Sequence, residues 1–301
     1  MIVDIEAPFD SHANGQYLKA LKDQYPFIDV LSAGKSVLGK DILYARLGTG
    51  KSPIFIVGAH HALEWITSLI LLTFMEEFCC CAVRGAHLSD YDPRYLLETT
   101  NIYILPLLNC DGVDLVCHGA AGLPDCAQLL RYNKGEADFS TTWQANAHGV
   151  DLNHNYDALW DAAKKLEPVH NVSGPGPTRF GGPYPESEPE VQAVCRLVRS
   201  VPFRHVTAYH TQGEVIYWDF EGKAPRGALA MAQLLSKASG YAPSTTEGIA
   251  SFGGMKDWVI KEFGIPAFTV EAGHGKNPLP LTQFREIYEK NRQLLLLLTV
   301  L

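Results

Sequence analysis

The chain has 301 residues, 47% hydrophobic and 19% charged, a balance that supports a globular core and excludes a disordered chain. Its formal net charge of −8 excludes a nucleic-acid surface, because phosphate binding draws on clustered Lys and Arg. With no linker and no internal repeat, one domain over 1–301 is expected, acting on a small molecule or a peptide.

The N-terminal run from Met1 to Pro8 carries acids where a secretory leader carries basic residues and then an apolar stretch, so export by that route is not expected. Strand patterns fall at 42–47, 54–57, 101–106, 205–209, 215–218 and 267–270. Helix patterns fall at 64–81, 188–198, 227–238, 254–262 and 282–298. This alternation predicts an α/β fold, a mixed sheet flanked by helices. Residues 109–189 read as one long irregular tract rich in Gly, Pro, Asn and His, and loops of that length are usually functional or disordered. The apolar run after Trp65 is broken by Glu76 and Glu77, and 294–298 is too short to span a bilayer, so no membrane segment is expected. Seven cysteines, with Cys79, Cys80 and Cys81 consecutive on a predicted helix, do not make a disulfide framework; reduced thiols in a cytoplasmic protein are the expectation.

The chemistry begins directly after the strand at 54–57, where His61 and Glu64 stand three residues apart. His60 competes as a ligand, but its own i+3 residue is Leu63, so the register favours His61. His210 follows a second strand and opens the polar turn Thr211-Gln212-Gly213. Two imidazoles and one carboxylate suffice for one catalytic zinc per chain: they leave a coordination position open and enough positive charge for Lewis acidity. The plainer alternatives are a helix start whose acid meets the helix dipole and a structural strand-end histidine.

Glu271 ends the apolar run 265–270 and carries a carboxylate from a buried strand to its tip. A general base toward an attacking water and a loop-capping acid both fit. In Asp151-Leu152-Asn153-His154-Asn155, Asp151 can orient a metal-binding histidine through its second ring nitrogen, while Asn153 and His154 can hold a substrate carboxylate. Asx turns explain the same composition. Gly48-Thr49-Gly50-Lys51-Ser52 loosely resembles a phosphate loop, yet Pro53 and a strand follow it where a helix is required.

Read in order, these residues resemble the zinc carboxypeptidase superfamily typified by carboxypeptidase A. His61-Ala62-Leu63-Glu64 is similar to its first metal motif, Asn109-Cys110-Asp111-Gly112 to the turn that follows, His210 to its third ligand and Glu271 to its catalytic glutamate. A closer resemblance is to the bacterial γ-D-glutamyl-meso-diaminopimelate peptidases, carried by 143–153, 210–218, Gly253-Gly254-Met255-Lys256-Asp257-Trp258 and 265–280. The resemblance implies an α/β/α fold with a mainly parallel sheet and helices on both faces, zinc-dependent peptidase activity, and a peptide or muropeptide substrate.

Three positions depart from that pattern. The arginine that clamps a terminal carboxylate after the Asn153 position is His154 here, and an imidazole lacks the guanidinium's two-pronged fork. The basic residue that polarises the scissile carbonyl aligns with Gln144, leaving Arg131 as the other candidate. The tyrosine over the site aligns with Ile249. Two other classes stay open: an N-acyl amino acid deacylase on the same fold, and a non-catalytic binding module.

Overall fold

The computed structural model describes residues 1–7, 9–246 and 252–301; Ile249 lies outside the described residues. The strands are β1 (Ile28–Lys35), β2 (Asp41–Leu47), β3 (Ser52–Gly58), β4 (Thr100–Leu105), β5 (Val206–His210), β6 (Val215–Tyr217), β7 (Ala242–Ser244) and β8 (Ala267–Glu271). They form an eight-stranded sheet in the order β1-β2-β4-β3-β5-β8-β6-β7. Its centre, β4-β3-β5-β8, is parallel, and antiparallel pairs lie toward the two edges.

The helices are α1 (Ser11–Gln24), α2 (Ile66–Arg84), α3 (Pro93–Thr99), α4 (Cys110–His118), α5 (Cys126–Tyr132), α6 (Trp160–Leu166), α7 (Pro189–Ser200), α8 (Ala228–Ser239), α9 (Met255–Phe263) and α10 (Phe284–Val300). Side chains alternate across a strand, so β3 sends Ile54 and Ile56 into one core and Phe55 and Val57 into the other. The first core packs under α2, α8 and α10, and the second under α7 and α9. Helices therefore cover both faces, as parallel strands buried on both sides require.

The segment Ala62–Arg84 is apolar and long enough to cross a membrane, but it is a core helix here, with 72% of its most apolar stretch buried. Buried Glu76 accepts hydrogen bonds from the backbone N–H groups of Ile2 (2.6 Å) and Val3 (2.8 Å), which ties the N-terminus to it.

Several elements differ from expectation. The tract 109–189 is not one irregular loop, because it holds α4, α5 and α6. Asn109 starts α4 by accepting from the Gly112 N–H (3.0 Å), a cap that outweighs the low helix propensity of Gly112. Helix α1 follows Asp10, whose carboxylate caps the Ala13 N–H, and its polar, Gly-containing sequence hides the period. Strand β1 carries a register shift between Ser32 and Gly34 that breaks its alternation, and β7 is three residues long with a central proline. The helix expected from residue 64 starts at Ile66 and runs to Arg84, where Gly85 ends it in the left-handed conformation.

Candidate active site

Three adjacent parallel strands, β3, β5 and β8, point their carboxyl ends the same way, the edge at which open α/β sheets place ligands. His61 and Glu64 follow β3 across a short 3-10 turn, His210 ends β5, and Glu271 ends β8 in register with His210. The ligand atoms of His61, Glu64 and His210 all lie within 4.8 Å of one another. Glu64 bridges the imidazoles: Oε1 is 2.9 Å from His61 Nδ1 and Oε2 is 2.9 Å from His210 Nδ1. The far nitrogen of His61, Nε2, donates to Asp151 Oδ1 at 3.1 Å. That bond fixes the ring and leaves Nδ1 as its metal-facing atom. His60 points elsewhere, its Nε2 3.0 Å from the Tyr156 hydroxyl, which agrees with the register that favours His61.

The donor set fits a zinc ion. Bonds of about 2.0–2.1 Å in tetrahedral geometry separate donor atoms by about 3.3 Å, a spacing the three side chains reach with small rotations. Charge argues the same way. Among the described residues, no Lys or Arg side chain hydrogen-bonds to Glu64 or Asp151, so their negative charge meets only imidazoles, amides and a hydroxyl. Burial disfavours a charged His61, yet the Glu64 and Asp151 carboxylates outweigh it and hold its imidazole well above its usual range. Burial works against ionised Glu64, and His61 and His210 reverse this, lowering it to about 2. Asp151 is held far below the usual carboxylate range against its burial, by His61, His154 and a hydrogen bond from the Arg179 N–H. Glu271 moves the other way: burial, reinforced by the Glu64 charge, pushes its carboxyl up to about 8, with His61 opposing.

The other expected residues surround this centre. Asn153 Oδ1 accepts from the Met255 N–H (3.1 Å), and His154 Nδ1 donates to the Phe252 carbonyl (3.1 Å), which leaves Nε2 for other partners. Gly253 must be glycine: its φ is +76°, and a Cβ there would sit 2.6 Å from the His154 carbonyl oxygen. Gln144 Oε1 accepts from the Thr178 hydroxyl (2.6 Å), which also lies 3.4 Å from Asp151 Oδ2, so the Gln144 amide keeps its N–H donors beside the centre. Arg131, on α5, has no hydrogen bond to the cluster and lines a cavity bordered by Thr178.

Sequence reading gives no role to four residues, of which Asn109 stands in a motif it names. Asn277 donates to Glu64 Oε1 (3.3 Å) and accepts from the Thr211 hydroxyl (2.7 Å), so it ties the carboxylate to the turn after His210. Thr178 and the Arg179 N–H (2.9 Å) hold Asp151 Oδ2. Asn109 donates to the carbonyls of His60 (3.0 Å), Gln144 (3.2 Å) and Ala145 (3.1 Å) and so clamps the first metal loop to the second half of the site. Only Asn109 carries a signal in its own motif; the others act from loops remote in sequence.

A two-imidazole, one-carboxylate centre at the carboxyl edge of a mainly parallel sheet, with a free carboxylate beside it, defines a mononuclear metal-dependent hydrolase site. The sequence pattern described as zinc carboxypeptidase matches residues 15–294, and the chain belongs to the zinc carboxypeptidase family, whose members are zinc metallopeptidases. It is 37% identical over 274 residues to the gamma-D-glutamyl-L-diamino acid endopeptidase 1 of Lysinibacillus sphaericus, covering 91% of this chain and 67% of that one. Identity to human carboxypeptidase A6 is 26% over 265 residues, 81% of this chain and 55% of the relative. The fold matches the crystal structure of thrombin activatable fibrinolysis inhibitor with a TM-score of 0.76 at 18% identity, over 100% of this chain and 76% of that one. It also matches murein-tripeptide amidase MpaA of Escherichia coli O157 with a TM-score of 0.53 at 22% identity, over 89% of this chain and 91% of that one.

Proposed function

We propose that this chain hydrolyses the amide between a γ-D-glutamyl residue and diaminopimelate in a peptidoglycan muropeptide. The observation that carries the hydrolytic step is the convergence of His61, Glu64 and His210 with Glu271 in register beside His210. His61, Glu64 and His210 would hold a zinc ion, which would supply Lewis acidity and lower the pKa of water to about 7.

The protein's own residues do the rest. Glu271 accepts a proton from the attacking water as the carbon–oxygen bond forms, and returns it to the amine as the carbon–nitrogen bond breaks. Burial raises its affinity for protons in the metal-free protein, and a cation at the centre would lower it toward the ionised form that accepts the proton. Asp151 holds His61 in the tautomer that turns Nδ1 toward the centre. The free Gln144 N–H group is the donor for the developing oxyanion, a contribution typically of about 3 kcal/mol in the transition state. Asn153 and His154, in this reading, hold a carboxylate of the substrate. The absence of a guanidinium at His154 disfavours ordinary C-terminal peptides, for which that fork is the anchor.

The bond choice rests on the activity named for the Lysinibacillus relative together with His154. A cytoplasmic setting, in which recovered wall fragments are broken down, belongs to the same reading, and the free state of all seven thiols supports it. Incubating the zinc-loaded protein with L-Ala-γ-D-Glu-meso-diaminopimelate should release free diaminopimelate. Intact tripeptide alongside rapid cleavage of N-acyl amino acids would replace this reading with deacylation.

A further inference from the structure

A cavity of about 560 Å³ opens on the Thr178 side of the centre. Its lining carries three permanent cations, Arg131, Lys134 and Arg179, against a single carboxylate, Glu136, with His170 and Tyr132 as the remaining ionisable groups. Of the arginines elsewhere, Arg46, Arg94, Arg199 and Arg292 each pair with a carboxylate, while Arg84, Arg196, Arg204, Arg226 and Arg285 have no such pair among the described residues. Among the described residues, Arg131, Lys134 and Arg179 pair with none. In a chain of net charge −8, an uncompensated positive concavity is a local reversal of sign, and concave walls concentrate the field it makes.

The cavity wall is fixed to the catalytic loop. The Gly176 N–H donates to the Gly149 carbonyl (2.9 Å), and the Gln144 and Ala145 N–H groups donate to the Pro177 carbonyl (2.8 and 3.0 Å). The Arg179 N–H donates to Asp151 Oδ2 (2.9 Å), and the Asp151 N–H to the Phe180 carbonyl (2.8 Å). The backbone of Arg179 is therefore held one hydrogen bond from the residue that orients His61. The cavity therefore adjoins the centre through Thr178 and the Arg179 backbone, and its lining carries guanidinium groups where the His154 position carries none.

Resting on the hydrolase reading above, we propose that this cavity is an anion subsite for a carboxylate of the substrate, with Arg131 and Arg179 as its ligands and Lys134 adding charge. A γ-linked glutamyl residue keeps its α-carboxylate free at the other end of the carbon chain from the scissile carbonyl, whereas an α-linked residue has no free α-carboxylate and offers an anion there only when its own side chain is acidic. The subsite thus selects peptides with that free carboxylate and discriminates against those in which it is amidated. Paired guanidinium–carboxylate bonds are the strong, directional kind that such selection needs.

The test is calorimetric binding to zinc-loaded Glu271→Gln protein, with L-Ala-γ-D-Glu-meso-diaminopimelate and its D-isoglutamine α-amide as the two probes. The acid should bind at least about 10-fold more tightly than the amide, and adding Arg131→Ala with Arg179→Ala should erase the difference. Arg179→Gln, which keeps a polar side chain but removes the charge, should reduce it and serves if the double replacement does not fold. Equal binding of the two peptides, no binding of either, or a preference that survives both arginine replacements overturns the subsite. Cleavage by the wild-type protein is read separately: acid preference without release of diaminopimelate discards the proposed reaction and keeps the subsite.

Discussion

Glu271 is the residue on which turnover depends. Replacing it with Gln removes the proton acceptor while keeping the shape, so kcat should fall by about 10²- to 10⁴-fold with zinc content unchanged; a loss under about 5-fold would assign the proton transfer to another group. In metal-free protein the Glu271 carboxyl should titrate near about 8, because burial and the Glu64 charge favour its neutral form. Loading zinc brings a cation next to it and should move the titration down, a shift that carboxyl-labelled NMR can follow. Asp151 acts through His61, so Asp151→Asn should weaken zinc binding by about 10- to 100-fold, read by competition with a chelator. These residues are legible in the chain itself, since His61, Glu64, His210 and Glu271 each end or follow an apolar strand. Thr178 and Asn277 are not, because their roles come from contacts made only once distant loops meet.

At the scale of elements, the junction of β4 with α4 holds the site's two halves together. The Asn109 amide donates to the buried carbonyls of His60 and Ala145 and to the half-buried carbonyl of Gln144, which also accepts from the Ala62 N–H, and Asn109→Ala removes that donor. The expected cost is about 1–3 kcal/mol for each group left truly unsatisfied, seen as a lower unfolding midpoint together with weaker zinc binding. Gly112 lies in the same turn, where an added Cβ would meet the Ala145 carbonyl oxygen at 2.4 Å, so Gly112→Ala should be destabilising too. In the first turn of α7, burial raises the Glu190 carboxyl to about 7, helped by Asp111 and opposed by hydrogen bonds from backbone and Asn146. The folded state therefore holds this proton more tightly than the unfolded chain. Stability from this group is complete below about pH 4.5 and is lost as pH rises through about 7, a difference of about 3 kcal/mol. Denaturant midpoints at pH 5 and pH 8 should show the decline, and Glu190→Gln should flatten it. The strands with continuous apolar runs, β3, β4, β5 and β8, are legible because they are buried on both faces. Strand β1 is not, since its register shift and exposed positions hide the period, and α4 escapes notice because a cap rather than propensity starts it.

Over the whole molecule, the sheet positions chemistry at one edge and the helices bury its two faces. A ligand that binds only the folded state stabilises it by mass action, so zinc at about 1,000 times its dissociation constant adds about 4 kcal/mol. Removing the metal should lower the melting temperature and its return should restore it; a melting temperature indifferent to chelation would argue against a site built from β3 and β5 together. The most direct test of the central claim is zinc-edge X-ray absorption on the purified, zinc-loaded protein. His61, Glu64 and His210 predict one zinc per chain, with nitrogen and oxygen neighbours at about 2.0–2.1 Å and the imidazole scattering of two histidines. Sulfur neighbours at about 2.3 Å, or no stoichiometric zinc, would place the metal elsewhere and contradict the assignment.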